Sequence, residues 1–370
     1  LLPVNGRRWQ TFARLTPTVH GDLEGDGLLS FRGMAAMQNS SRIDGGDDDQ
    51  SFGSVPRGTG SEEEPEETAR GGAGRGAMGS GYGRHAGAAY TFSQEAVREF
   101  RVSGQNYSAL YGHAAGGIVT TVSKSGTNAV HGTGFFLLRE SGLGAANPFS
   151  IATRYADGVV TSSVVKPHDL RQQFGGSVGG PAVRDRLFYF YAYDQQRRGF
   201  PAVSSPVDPA FYSLTGMQRA LLGNRGVKAA QVNAALNYLD SLTGTVARRA
   251  DQTVNFGKMD WTMSEKNRVS LQYDRARSSA PGGVRSAPVV GRGIASLGSS
   301  FVKVDSVLGR WMWMATPAVS NEVRVQYGRD FQYEQAQRPL PQEPRVGLGG
   351  YAPEVSIGPV GLVFGTPSSL

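Results

Sequence analysis

Gly175-Gly176-Ser177-Val178-Gly179 has the G-x-S-x-G spacing with which a hydrolase presents a nucleophilic serine on a strand-to-helix turn. That chemistry needs an acid and a histidine later in the chain. All five histidines (His20, His85, His113, His131 and His168) precede Ser177, and no helical pattern follows it. Glycines on a bending strand explain the match better. Gly74-Arg75-Gly76-Ala77-Met78-Gly79 has the G-x-G-x-x-G dinucleotide spacing, but that motif works only between a buried strand and a helix N-terminus. Here an acidic run precedes it and more glycine follows, so the match is compositional. As an arginine-glycine nucleic-acid tail the segment is also poor. Tyr82 alone could stack, and Glu62, Glu63, Glu64, Glu66 and Glu67 lie nearby. Asp44, Asp47, Asp48 and Asp49 could attract a hard cation; the spacing misses the EF-hand loop and suits a solvated turn. His113 and His131 lack a ligand partner at helical spacing. Catalytic residues, metal and cofactor are therefore all expected to be none, and nucleic acid is not an expected partner.

The elements that would have to position any site point elsewhere. The chain has 370 residues, no cysteine, 51 glycines and a formal net charge of +7. Lack of cysteine excludes disulfide frameworks and thiolate metal sites. The net charge reads as a solvated basic surface. Mean hydropathy is −0.32, and no run approaches the ~18 apolar residues of a spanning helix. A β-barrel stays open, because its strands show lipid only every second residue. The start at Leu1, without methionine or an apolar leader, suggests a fragment or processed form.

Residues 1–52 mix a short helix, capped by Asn5 and carrying Trp9, Phe12, Ala13 and Leu15, with strand-like pieces. Residues 53–89 are low-complexity and cannot bury enough apolar surface to order themselves. Ser93 to Phe100 reads as one or two helical turns ahead of a strand. Residues 105–134 read as two short strands joined by small residues, then a sharp turn into a third. From Val130 the texture becomes long period-two alternation, with strands near 130–140, 170–180, 186–198, 252–263, 267–278, 300–315 and 320–334. In Val323-Arg324-Val325-Gln326-Tyr327 the apolar and polar faces separate fully. The connections alternate between long (to about 169, 199–251, 279–299) and short (181–185, 264–267, 316–320), as in outer-membrane barrels with long external loops and short periplasmic turns. Strand 130–140 would then run outward. Phe188, Tyr189, Phe190, Tyr191 and Tyr193, with Trp311 and Trp313, suit interfacial belts; for 300–315 the lipid face stays open, because Met312 and Met314 oppose the tryptophans. Within the long second loop, 214–243 look helical and could cap a pore mouth or pack as a surface helix.

Several motifs fall in one order: Leu2-Pro3-Val4-Asn5-Gly6-Arg7, Phe31-Arg32-Gly33 with Ile43-Asp44-Gly45, Tyr111-Gly112-x-Ala-Ala-Gly116-Gly117-Ile118-Val119, Lys124-Ser125-Gly126-Thr127-Asn128 and His131-Gly132. Arg171 to Pro181 followed by Asp185 to Phe190, then Lys258-Met259-Asp260-Trp261 with Lys266 to Ser270, continue it. This order resembles the TonB-dependent outer-membrane receptors, in their Oar-like branch, across nearly the whole chain. Leu110 and His113 depart from the pattern, where an acidic residue and an arginine are common.

The resemblance implies a partial all-β transmembrane antiparallel barrel (129–370) preceded by a small α/β plug domain (1–128). A complete transporter barrel would have ~22 strands. It implies a plug–barrel junction at Ser125, Gly126, Thr127 and Asn128, and a wall whose small and polar lumen residues let the plug sit without apolar sticking. It implies a non-enzymatic receptor in the outer membrane of a Gram-negative-type bacterium. Outer-membrane lipid and a TonB-type energy-transducing complex would be its partners. A scarce nutrient (siderophore, glycan or peptide) would be its unknown ligand. A surface adhesin or structural β-protein without transport is the alternative, and it would need a soluble, two-sided core.

Overall fold

A computed structural model describes residues 9–21, 29–34, 38–49, 90–108, 111–112, 114–283, 287–346, 349–358 and 361–366. Asn5, the low-complexity segment 53–89 with its glycine-rich motif, Leu110 and His113 lie outside them.

The first third is built from short elements. Trp9–Leu15 is a 3-10 helix, tighter than the α-helical spacing suggests, and Pro17 follows it. Strands β1 (Val19–Gly21) and β2 (Leu29–Phe31) pair antiparallel. β3 (Ser40–Ile43), β4 (Gly46–Asp47), β5 (Val97–Ser103) and β6 (Ile118–Ser123) form a four-stranded sheet in the order β4-β3-β6-β5. Asp44 and Gly45 link β3 to β4 with φ of 51° and 82°, the two left-handed positions of a tight hairpin. Ser93 caps a single 3-10 turn, Gln94–Ala96, and the strand begins at once at Val97. The helical reading of 93–100 was thus too long. The described part of 105–117 holds no strand; its glycines serve packing instead. A Cβ on Gly117 would lie 2.3 Å from the Phe31 ring, and one on Gly116 would lie 2.3 Å from Asn39 Oδ1.

The remainder is dominated by β7 (His131–Glu140), β10 (Leu170–Val183), β11 (Leu187–Gly199), β14 (Arg249–Ser264), β15 (Asn267–Ala280), β17 (Ser299–Thr316) and β18 (Val319–Gln335). They pair with their neighbours in chain order as one seven-stranded antiparallel sheet. Short turns join them at one end. At the other end, long loops carry their own hairpins: β8 (Ile151–Ala156) with β9 (Val159–Val164), β12 (Ala202–Ser204) with β13 (Gly244–Val246) and β16 (Val289–Val290), and β19 (Val355–Ile357) with β20 (Leu362–Phe364). Helices Gly216–Asn224, opened by a Thr215–Gln218 capping box, and Ala229–Ser241 lie in the longest loop. Asp240 of the second helix accepts hydrogen bonds from Tyr155 N (3.0 Å) and Arg154 Nη2 (2.9 Å), so the helix packs on the β8–β9 hairpin.

Register sorts the two faces of the large sheet. Phe190, Ala192, Asp194 and Gln196 of β11 are buried, as are Val254, Phe256 and Lys258 of β14. They share a face with Asp274, Ala276, Val304 and Leu308 across the ladders. The opposite face runs in rows: Leu187, Trp261, Val269, Trp311 and Val323; then Tyr189, Met259, Leu271, Gly309 and Val325; then Tyr191, Gly257, Tyr273, Val307 and Tyr327. Trp261, Leu271 and Val325 are 47%, 51% and 69% exposed, more than a water-soluble core face would leave. Trp311 and Trp313 thus belong to the outer face, which the alternation left open. Phe188 and Phe190 do not belong to a belt: Phe190 points inward and is buried.

Candidate functional site

The inner domain sits against the inward face of the sheet, and the seam between them is the most elaborated polar feature of the molecule. Asp44 lies at its centre. The tight hairpin fixes its backbone, and its carboxylate accepts from Ser123 N (3.0 Å) and from Ser123 Oγ. Lys258 Nζ, from β14, donates to Asp44 Oδ2 (3.2 Å) and to Ser123 Oγ (2.8 Å). The Lys258 and Asp44 side chains are only 5% and 9% exposed. An ion pair so enclosed gains little net stability, but losing one partner leaves an uncompensated charge. The aspartates of this turn were expected to be solvated. Asp44 is instead an anchor to the wall, and among the described residues no cluster of His, Asp or Glu is suited to a metal.

Other anchors use different wall strands. Asp194 of β11 is fully buried and accepts from Tyr90 Oη (2.6 Å) and Ser93 Oγ (3.2 Å). Gln252 of β14 donates to the Tyr90 carbonyl. Thr133 of β7 donates to Glu95 Oε2 (2.6 Å). Gln326 of β18 pairs with the backbone of Asp47, accepting from its N–H and donating to its carbonyl at 2.7 Å each. Apolar contact adds to this. Phe92 meets Phe256 edge to face at 4.9 Å, and Phe190 and Ala192 complete a cluster with Ala13, Ile43 and Val119. The lumen face is therefore not purely small and polar, as anticipated, but carries an aromatic seat. A cavity of ~20 Å³ lies beside Ile43, Asp47, Phe92, Phe256 and Leu308, room for about one water.

Residues 124–130 connect β6 to β7 without regular structure. Within them, a Cβ on Gly126 would lie 2.3 Å from the Tyr189 carbonyl oxygen and 2.6 Å from that of Gly180, so only glycine fits. Asn128 donates to Asp185 Oδ1 (2.5 Å) and accepts from Asp185 N (2.9 Å), tying the connection to the first short turn. Thr127 Oγ1 donates to the Ala129 carbonyl (2.9 Å).

Ser177 sits mid-strand in β10, facing Thr133 and Ala192, with its hydroxyl 2.9 Å from that of Thr133. It is not at a strand-to-helix turn, and no nucleophile elbow exists there. Sequence reasoning missed Tyr90, Asp194, Gln252 and Gln326, and it quoted Lys258 without a role. The available signal was ionisable residues, Asp194 and Lys258, at inward positions of otherwise apolar or aromatic strands.

Residues 122–207 match the family model of an outer membrane beta barrel domain. No curated protein matches the chain. The fold is similar to the outer membrane transporter YddB from Escherichia coli, with TM-score 0.58, 12% identity, and coverage of 99% of this chain and 41% of that one. The siderophore receptor PirA from Acinetobacter baumannii gives TM-score 0.45 at 14% identity over 92% of this chain and 44% of PirA. A ferric enterobactin receptor, PfeA, from Pseudomonas aeruginosa gives 0.44 at 13% over 87% and 38%. The chain thus spans less than half the length of these structures. Family match, sheet and exposed apolar rows together define a segment of an outer-membrane antiparallel barrel with an inner domain against its wall.

Proposed function

We propose that this chain is part of a TonB-dependent outer-membrane receptor of the Oar-like branch. In this reading residues 1–128 form the plug and 129–370 the first wall strands. The observation that carries it is the seam: four wall strands each hold the inner domain by directional polar bonds around an enclosed Lys258–Asp44 pair. Such bonds hold a stopper firmly, yet each can be exchanged for water when the stopper moves. Ser125, Gly126, Thr127 and Asn128 act as the hinge, with Gly126 wedged against two wall carbonyls and Asn128 clamped to Asp185. The long loops face outward and bind a siderophore, glycan or peptide. A TonB-type complex pulls on the plug from the periplasm.

Cells carrying the intact protein are grown on ferric siderophores, glycans and peptides as sole iron or carbon source. Growth conferred by the protein should vanish when the inner-membrane energy complex is deleted; growth that persists without that complex rejects coupled transport. Orientation is tested by trypsin added outside intact cells, which should cut within 199–251. Cutting at 181–185 or 264–267 instead would reverse the assignment.

A further inference from the structure

The inward side of β7 differs from its neighbours towards the loop end. Thr133 faces the inner domain, where it bonds Glu95, so alternation turns Phe135, Leu137 and Arg139 to the same side. Leu137 stands in one row with Gln173, Gln196 and Gln252. Those three amides are buried, whereas Leu137 is 46% exposed. Phe135 below it is half-buried, and Gly175 opposite adds no side chain beside its ring. Above Leu137, three arginines sit side by side: Arg139, Arg171 and Arg198, on β7, β10 and β11. Arg198 grips a carboxylate of this chain, Nε donating to Asp169 Oδ1 (3.1 Å) and Nη2 to Asp169 Oδ2 (2.7 Å). Arg171 Nη2 donates to Gln196 Oε1 at 2.7 Å. Arg139 is exposed and makes no hydrogen bond or ion pair among the described residues. Its neighbour Glu140 points to the other face, where Oε1 lies 3.1 Å from His168 Nε2.

We infer that Arg139, Leu137 and Phe135 form a subsite for a ligand with a carboxylate head and an apolar body. This deepens the transport reading and rests on it for placing the inward face in the channel. Asp169 shows the head-group chemistry: a guanidinium at this height takes a carboxylate through two parallel bonds. Arg139 presents the same fork to the channel. Like charges on directly opposed strand positions repel, and an anion arriving at Arg139 relieves that repulsion. Below the head, a body lying down the strand covers Leu137 and reaches Phe135, four residues or about 13 Å from Arg139. Covering Leu137 removes apolar surface from water. A neutral sugar would match neither the guanidinium nor the leucine.

The test titrates the intact protein in nanodiscs calorimetrically, with empty nanodiscs as the blank. The probes are 4-butylbenzoate, 4-butylbenzamide, which lacks the charge, and acetate, which lacks the body. Butylbenzoate should bind saturably and at least about tenfold more tightly than either, the factor expected for a hydrogen-bonded charge. Arg139→Gln should abolish the preference over the amide. Arg139→Lys should lose less, since it keeps the charge without the fork. Leu137→Ser should weaken butylbenzoate about fivefold, through lost apolar burial, and leave acetate unchanged. Arg275→Gln, on the opposite face, should change nothing. Equal affinity for butylbenzoate and its amide, acetate binding as tight as butylbenzoate, no saturable binding, or a preference that survives Arg139→Gln each overturns the inference. If Arg139→Gln fails to insert, Arg139→Lys and Leu137→Ser decide in its place. The growth assays described above, run on the same variants, separate the two readings. Binding that follows Arg139, in a protein whose growth benefit persists without the energy complex, overturns coupled transport alone. Coupled growth with butylbenzoate binding indifferent to Arg139 overturns the subsite alone.

Discussion

The Asp44 carboxylate joins two duties that are usually separate. It belongs to a left-handed turn residue, and it is the counter-charge of a wall lysine. Lys258→Ala should therefore cost about 3–5 kcal/mol of inner-domain docking, since it strands a buried carboxylate. Lys258→Met combined with Asp44→Asn should cost much less. Protease protection of β3–β6 in the intact protein measures both. Asp49, on the same turn, behaves differently. Burial first, then the neighbouring Asp47 charge, pushes its carboxyl from 3.8 up to about 6, against the lowering effect of its bond from Ser41 N. The folded state thus holds a proton that the unfolded state releases between about pH 4 and 6. Stability of this turn should rise as pH falls through that window and level off below it. Asp49→Asn should flatten the dependence, as read by hydrogen exchange at the Ser41 amide.

Among elements, the wall strands were the most legible. Their expected intervals fall within a few residues of the observed ones, because period-two alternation and turn chemistry are both local signals. The strand before the first turn simply runs on through Pro181 to Val183. What stayed hidden depended on register. Trp311 was assignable to the lipid side only once Val269 and Val323 were seen opposite it. Phe190 left the aromatic belt only once Phe256 and Phe92 were seen inside. The inner strands were less legible because β1, β2 and β4 have only two or three residues, too few to carry a period, and Gly116 and Gly117 act through close contact with Asn39 and Phe31, which sequence spacing does not reveal. The sorted faces give a direct check. Leu271→Arg, in the middle outward row, should destabilise the folded barrel by about 2–4 kcal/mol. Ser279→Arg, on the same face at its loop end, should be nearly neutral. Unfolding of the intact protein from vesicles by denaturant measures the difference.

For the molecule as a whole, β7 and β18 are the outer strands of the large sheet, and among the described residues each has one edge without a neighbouring strand in it. Such edges are not stable in a hydrocarbon layer. The 370-residue chain refolded alone in detergent should lack the heat-modifiable mobility expected of a closed barrel. Finding that shift in the isolated chain would mean that the sheet closes or pairs by another route.

The anchors of the seam sit on four different staves: Thr133 on β7, Asp194 on β11, Lys258 on β14 and Gln326 on β18. If the inner domain is a plug as proposed, a tug arriving at one side of it does not load all of them at once. It peels them in succession, each rupture needing only a small increment of work before the next begins. In that proposed reading a modest, sustained mechanical pull empties the channel where thermal agitation alone, having to break every attachment together, leaves it shut.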